Sequence, residues 1–144
     1  MNAKRAPMTR SEIMSRVKGR DTRPEMRLRR ALHRAGLRYR LQAKELPGRP
    51  DIVFRPAKLA IFVHGCFWHR HSGCEHARMP KSRIDFWKAK FCGNVERDAR
   101  QVAELEAAGW TVLTLWECET RDLGVMAAAV EKVRRLVEVR QIKS

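Results

Sequence analysis

Cys66, His71 and Cys74 fall within one short stretch, spaced Cys-x4-His-x2-Cys, and Cys118 follows a β-like run that ends at Trp116. Thiolates and imidazoles are the donors zinc prefers. A tetrahedral site with all four positions filled by protein acts as a staple rather than a catalyst. On spacing alone His69, His76 and Cys92 compete as ligands. The plainer alternative is a set of unrelated core thiols and surface histidines.

A second group surrounds Gly48-Arg49-Pro50-Asp51, which sets an acid at the start of an apolar run. Phosphodiester hydrolysis calls for a hard cation to neutralise charge on the phosphate oxygens, and Mg²⁺ binds through one or two carboxylates while keeping several waters. Pro-Asp followed by acid-x-Lys marks restriction-endonuclease-like folds. Only the first half is present, because the next run ends Phe62-Val63-His64. Taken alone, the Pro-Asp reads equally well as an acid capping a turn. His64-Gly65-Cys66-Phe67-Trp68-His69 instead puts two imidazoles where the acid and lysine would act. An imidazole with an ordinary pKa near ~6.5 can draw a proton from water at physiological pH. His69 is the candidate base, although either histidine is also open to being a loop residue or a metal ligand.

These groups need a scaffold. A helix capped by Thr9 or Ser11 and carrying Ile13, Met14 and Val17 is expected up to Gly19. Thr22-Arg23-Pro24-Glu25 forms a capping box that opens a second helix, with Leu28, Leu32 and Ala35 on one face and Gly36 as its stop. Tyr39 and Leu41 suggest a short strand before the Pro47-Gly48 turn. Asp51-Ile52-Val53-Phe54 and Leu59-Ala60-Ile61-Phe62-Val63 read as a hairpin. Residues 82 to 108 are helical, with a possible break at Gly93, Asn94 as N-cap, and Val95, Ala99, Val102 and Leu105 as the apolar stripe. A strand over residues 110 to 116 follows. The last helix has Met126, Ala129, Val130, Val133, Leu136 and Val137 on one side. The order α, α, β, β, β, α, β, α predicts an α/β fold: a mixed sheet flanked by helices, with one parallel crossover.

The charge of the chain points to its partner. Among 144 residues, 31 Lys+Arg against 16 Asp+Glu leave +15 at neutral pH; residues 1 to 40 hold 13 of the basic residues against three acids, a net +10. Solubility alone calls for less, so a polyanion is expected. Nucleic acid fits better than a membrane, since no apolar run nears the ~20 residues of a spanning helix. With no signal-peptide stretch, the expected location is the cytoplasm, where thiols stay reduced. The chain divides into a basic arm over residues 1 to 20 and a nuclease-like domain over residues 21 to 144.

Thr9-Arg10-Ser11, Arg20-Asp21-Thr22, Leu46-Pro47-Gly48-Arg49-Pro50-Asp51, the string from Ile61 through His64-Gly65-Cys66-Phe67-Trp68-His69, Phe86-Trp87, Asn94-Val95-Glu96-Arg97-Asp98 and Leu115-Trp116-Glu117-Cys118 together resemble the bacterial very-short-patch-repair (Vsr) endonucleases. The resemblance runs from residue 9 to residue 118 and is weaker beyond. It implies a restriction-endonuclease-like fold and cleavage of duplex DNA 5′ of the thymine in a T:G mismatch left by deamination of 5-methylcytosine. It further implies that Asp51 and the Val63 carbonyl bind Mg²⁺, that His69 activates water, and that His64, supported by Glu25, completes the network. Structural Zn²⁺ would sit on Cys66, His71, Cys74 and Cys118. The chain departs from the family pattern at Val63, where threonine is usual, and by one extra residue at Ser72-Gly73. The Thr22 capping box also accounts for Glu25 without catalysis.

A T:G wobble pair stacks weakly and can be found by apolar wedges pushed between base steps. Phe67 and Trp68 lie in the polar zinc loop, where burial explains them less well. The resemblance adds Trp87, Met14 from the opposite groove, and Lys90 and Asn94 at the mismatch. A monomer is expected, with mismatch-repair proteins as possible partners. Two rivals share the charge and aromatics: a non-catalytic zinc-containing DNA-binding module, and an RNA-binding protein.

Overall fold

The structure, a computed structural model, describes residues 22–41 and 43–143, without the side chains of His76 and of residues 140–143. The helix expected before Gly19, and Met14 with it, lie outside the described residues. Helix α1 spans Arg23–Arg34, and the Thr22 hydroxyl accepts the Glu25 N–H at 3.4 Å at its N-terminus. Gly36, at φ +82°, turns the chain out of it. Strands β1 (Arg40–Leu41), β2 (Ile52–Phe54) and β3 (Leu59–His64) are followed by an irregular loop over residues 65 to 83, the long helix α2 (Ile84–Ala107), β4 (Thr111–Trp116) and α3 (Leu123–Lys143).

The four strands form one sheet in the order β1-β2-β3-β4. β1 and β2 pair antiparallel, as do β2 and β3, while β3 and β4 run parallel. The hairpin and the parallel crossover expected from the sequence are both present. The fold is therefore the mixed α/β sheet predicted, with helices on both faces.

Alternation along β3 divides the core. Leu59 and Ile61 join Leu28, Leu32, Met126 and Val133 beneath α1 and α3, whereas Ala60 and Phe62 join Leu105 on the α2 side. The same period of two separates Val63 from His64.

Helix α2 differs from the sequence expectation. It is continuous through Gly93, and Asn94 lies in its middle rather than at a cap. A glycine inside a helix costs only about 1 kcal/mol, less than the contacts that hold the two ends. Nor do Val95 and Ala99 face inward; both are exposed. The inward stripe is Trp87, Phe91, Asn94, Asp98, Gln101 and Leu105. Trp87 and Phe91 pack on the Phe67 and Trp68 rings of the loop after β3 and Leu105 on the sheet. The polar middle of the stripe lies over the cleft described next.

Candidate active site and metal centre

Asp51 enters from the turn before β2. That turn is tight: Gly48 sits at φ +75°, and a Cβ there would come within 2.9 Å of Gln101 Oε1 and 3.0 Å of the Phe62 ring. Only glycine takes this conformation without strain. The Val63 N–H donates to Asp51 Oδ2 at 2.8 Å, which ties the end of β3 to the acid. Burial pushes the Asp51 carboxyl up to about 6, the Val63 hydrogen bond opposes the shift, and nearby Glu25 adds to it. Glu25 itself is 1 % exposed on the inner face of α1.

The two imidazoles stack, His64 on His69, with ring centroids 3.9 Å apart and planes 6° from parallel. Burial, then the neighbouring His69 charge, lowers the His64 pKa to about 4, so this ring is neutral at physiological pH. His69 Nδ1 lies 2.5 Å from Asp98 Oδ2. Burial works against the Asp98 carboxylate, but the hydrogen bond and charge of His69 outweigh it and hold the acid below its ordinary range. Asp98 fixes the His69 ring with Nε2 left for other chemistry.

Two adjoining clefts of about 810 and 660 Å³ share Asp51, Val63, His69 and Arg97. The first adds Lys44, Arg49, His64 and Asp98; the second adds Glu25, Phe67, Trp68, Lys90 and Asn94. Asp51, Val63, His64, His69 and Glu25 thus line two adjoining clefts. Arg97 and Asp98 are functional candidates to which that reading gave no role. Their signal was helical spacing: Asp98 stands one turn after Asn94.

The sulfur-rich group forms a separate centre. One ligand atom from each of Cys66, His71, Cys74 and Cys118 lies within 4.8 Å of the others. His71 Nδ1 is 3.7 Å from Cys66 Sγ and 3.4 Å from Cys118 Sγ. A tetrahedron built on bonds of ~2.3 Å to sulfur and ~2.1 Å to nitrogen has S···N edges of roughly 3.6 Å, so the donors match such an ion in type and spacing. The His71 ring is held flat against Trp116, 4.4 Å between centroids. Burial pushes the Cys66 thiol up to about 12, which keeps it protonated until a cation takes the proton's place. Of the competing ligands, His69 belongs to the imidazole group, Cys92 is exposed beside Glu96, and the His76 side chain is not described.

Trp116 joins the two groups, edge-on to His64 and flat on His71, and a second set of rings lies beside the cleft. Phe67 packs edge-on against Trp68, Trp87 and Phe91. Lys90 Nζ lies 5.8 Å over Trp68, and Asn94 Nδ2 donates to the Trp68 carbonyl at 3.2 Å. Asn94 therefore tethers the loop to α2. Phe67 and Trp68 are half-buried at the cleft, but Trp87 is only 6 % exposed. The wedge role that the resemblance implies for Trp87 meets a buried ring, because position 87 lies on the inner stripe of α2.

A family model described as DNA mismatch endonuclease Vsr matches residues 3–76. The chain is 46% identical over 133 residues to the type II nicking enzyme V.XorIIP of Xanthomonas oryzae, covering 92% of this chain and 97% of that protein. It is 41% identical over 134 residues to the type II nicking enzyme V.NmeAIP of Neisseria meningitidis, covering 93% and 91%. To the DNA mismatch endonuclease Vsr of Escherichia coli it is 46% identical over 113 residues, covering 78% and 72%. The chain belongs to the Vsr family. Val63 meets Asp51 through its main-chain N–H, and Gly73, just before Cys74, sits at φ +73°. Like other Vsr-family chains, it is an endonuclease.

Proposed function

We infer that this chain nicks one strand of duplex DNA 5′ of the thymine in a T:G mismatch, initiating very short patch repair of deaminated 5-methylcytosine. The finer points, strand and mismatch, rest on its likeness to the E. coli mismatch endonuclease. What carries the hydrolytic reading is the pairing, in one cleft, of a half-buried acid with an imidazole oriented by a second carboxylate.

Asp51 and the Val63 carbonyl would hold Mg²⁺. The fit lies in the acid itself, a half-buried carboxylate raised to about 6 that a divalent cation would relieve. When bound, Mg²⁺ neutralises charge on the phosphate oxygens. His69 Nε2 takes the proton of the attacking water, while Asp98 keeps Nδ1 in the donor state and stabilises the charged ring. Water attacks phosphorus as the bond to the neighbouring sugar oxygen breaks. Neutral His64 and buried Glu25 shape the water and phosphate network. Arg49, Arg97 and Lys44 on the cleft wall face the backbone charge. Cys66, His71, Cys74 and Cys118 would hold Zn²⁺, which would staple the loop that bears His69, Phe67 and Trp68.

The enzyme acts as a monomer, since one mismatch has no two-fold symmetry to match, and mismatch-repair proteins are candidate partners. No helix among the described residues is long and apolar enough to cross a membrane. The rival is a zinc-containing binding module without catalysis. Asp51→Asn separates the two: the variant is expected to retain T:G duplex affinity within about threefold in a gel-shift assay while nicking falls by at least ~10²-fold. A wild-type protein that binds but never cuts with Mg²⁺ supports the module.

A further inference from the structure

Trp116 closes β4 directly opposite the last residue of β3: in the parallel register of the two strands its Cα partner is His64. Its two ring contacts among the described residues are both with histidines. It stands edge-to-face with His64, 5.5 Å between centroids and 72° between planes, and lies flat on His71 at 4.4 Å and 11°. His64 in turn stacks on His69 at 3.9 Å. Rings therefore run in contact from a candidate metal ligand, through Trp116 and His64, to the candidate base. The main chain repeats the connection. The Trp116 N–H donates to Glu119 Oε1 at 2.9 Å, at the head of the short 3-10 helix Glu117–Arg121 that carries Cys118.

Trp116 is half-buried and belongs to neither hydrophobic core. Nor does it line the two clefts that hold Asp51; it borders a separate groove of about 520 Å³ together with His64, His69 and Asp98. Neither substrate contact nor core packing accounts for a tryptophan here.

We propose that Trp116 is a positioning residue for cleavage: its ring fixes His64, the face against which His69 stacks, and so ties the geometry of the base to the Cys66, His71, Cys74 and Cys118 centre. A catalytic group must be held within about 0.5 Å and 20° of its productive geometry by packed neighbours. Asp98 holds His69 at Nδ1, but one hydrogen bond leaves the ring free to turn about that bond. Stacking on His64 removes this freedom only if His64 is itself held. Phe62 and Trp116, each 5.5 Å from it, are the rings that hold it. Phe62 belongs to the same strand as His64, so Trp116 is the contact that refers the imidazole to a second strand. A cation on the four ligands would fix the His71 ring, and Trp116, flat against that ring, would be fixed with it. A base that swings out of line loses rate rather than binding, because the cations that face the DNA backbone lie elsewhere on the cleft wall.

The proposal rests on the reading of His69 as the base, and its test keeps the two apart. Trp116→Phe and Trp116→Leu are compared with the wild type for kcat and KM on a T:G duplex, for duplex affinity by fluorescence anisotropy, for zinc content and for Tm. The ring resonances of His69 are followed by NMR in protein carrying isotope-labelled histidine. Where purification removes zinc from a variant, one equivalent is restored before assay. Trp116→Leu, which keeps apolar bulk without a flat ring, is expected to lower kcat at least about tenfold, with KM and affinity within about threefold of the wild type. Its His69 resonances shift, although Trp116 reaches that ring through His64. Trp116→Phe recovers most of kcat and of the wild-type spectrum. Wild-type kcat in the zinc-loaded Leu variant, or a loss matched by an equal loss of affinity, overturns the proposal, as does a Phe variant no better than Leu. Should Trp116→Leu fail to fold, Trp116→Met is judged by the same criteria; unfolding of both makes Trp116 a residue of the fold alone and overturns the proposal. A wild type that cuts no duplex sinks the DNA-cleaving reading, and the His69 resonances then judge Trp116 by themselves.

Discussion

Burial, with Glu25 nearby, pushes the Asp51 carboxyl up to about 6, and the Val63 N–H offsets only part of that cost. An unfolded chain releases this proton near pH 4. Between pH 4 and 6 the folded protein therefore holds more protons than the unfolded one, and its metal-free stability falls as pH rises through that window. Above it the folded state carries a penalty of up to about 3 kcal/mol. Asp51→Asn is expected to be more stable than the wild type at pH 7 without metal, with the gap closing below pH 4; chemical denaturation at both values measures it. Mg²⁺ should stabilise the wild type and not the variant. A less stable variant at pH 7 would mean that the acid is a structural anchor. Asp98 belongs to the same scale, acting through His69. Asp98→Asn should lower kcat at least about tenfold with KM little changed, and Asp98→Glu should recover part of the loss. An unchanged kcat would remove Asp98 from the mechanism.

At the scale of elements, the loop between β3 and α2 holds its shape through the four metal-ligand residues and the rings packed on α2. Removing the bound ion with a strong chelator, or replacing one ligand with Cys66→Ser, is expected to lower Tm by roughly 5 °C or more. Elemental analysis should find about one zinc per wild-type chain. An unchanged Tm with no bound metal would make the four residues a thiol cluster only. Much of this scaffold was legible in the sequence, because the β2–β3 hairpin, the capped α1 and the ligand spacing are local patterns. The face of α2 was not legible. Its apolar periodicity pointed to Val95 and Ala99, but the cleft demands the polar turn of Asn94, Asp98 and Gln101 inward. Tertiary contacts with Trp68 and His69, 26 and 29 residues away in the chain, decided the matter. The burial of Trp87 was not legible either, since it depends on rings contributed by the loop.

The whole molecule sets Lys44, Arg49 and Arg97 along a cleft that also holds Asp51, His64 and His69 and adjoins the Phe67-Trp68 loop, in a chain with a net charge of +15. Charge alone would bind any polyanion; aromatic rings alone would stack on any base. Their meeting beside Asp51 and His69 is what makes mismatch-directed cutting the economical account. The most direct measurement is strand-resolved cleavage of an end-labelled duplex bearing one T:G pair, beside its T:A counterpart, with Mg²⁺ and with EDTA. The account predicts a Mg²⁺-dependent nick 5′ of the mismatched thymine, in that strand only. Equal cutting of both duplexes, or cutting that persists in EDTA, would contradict it.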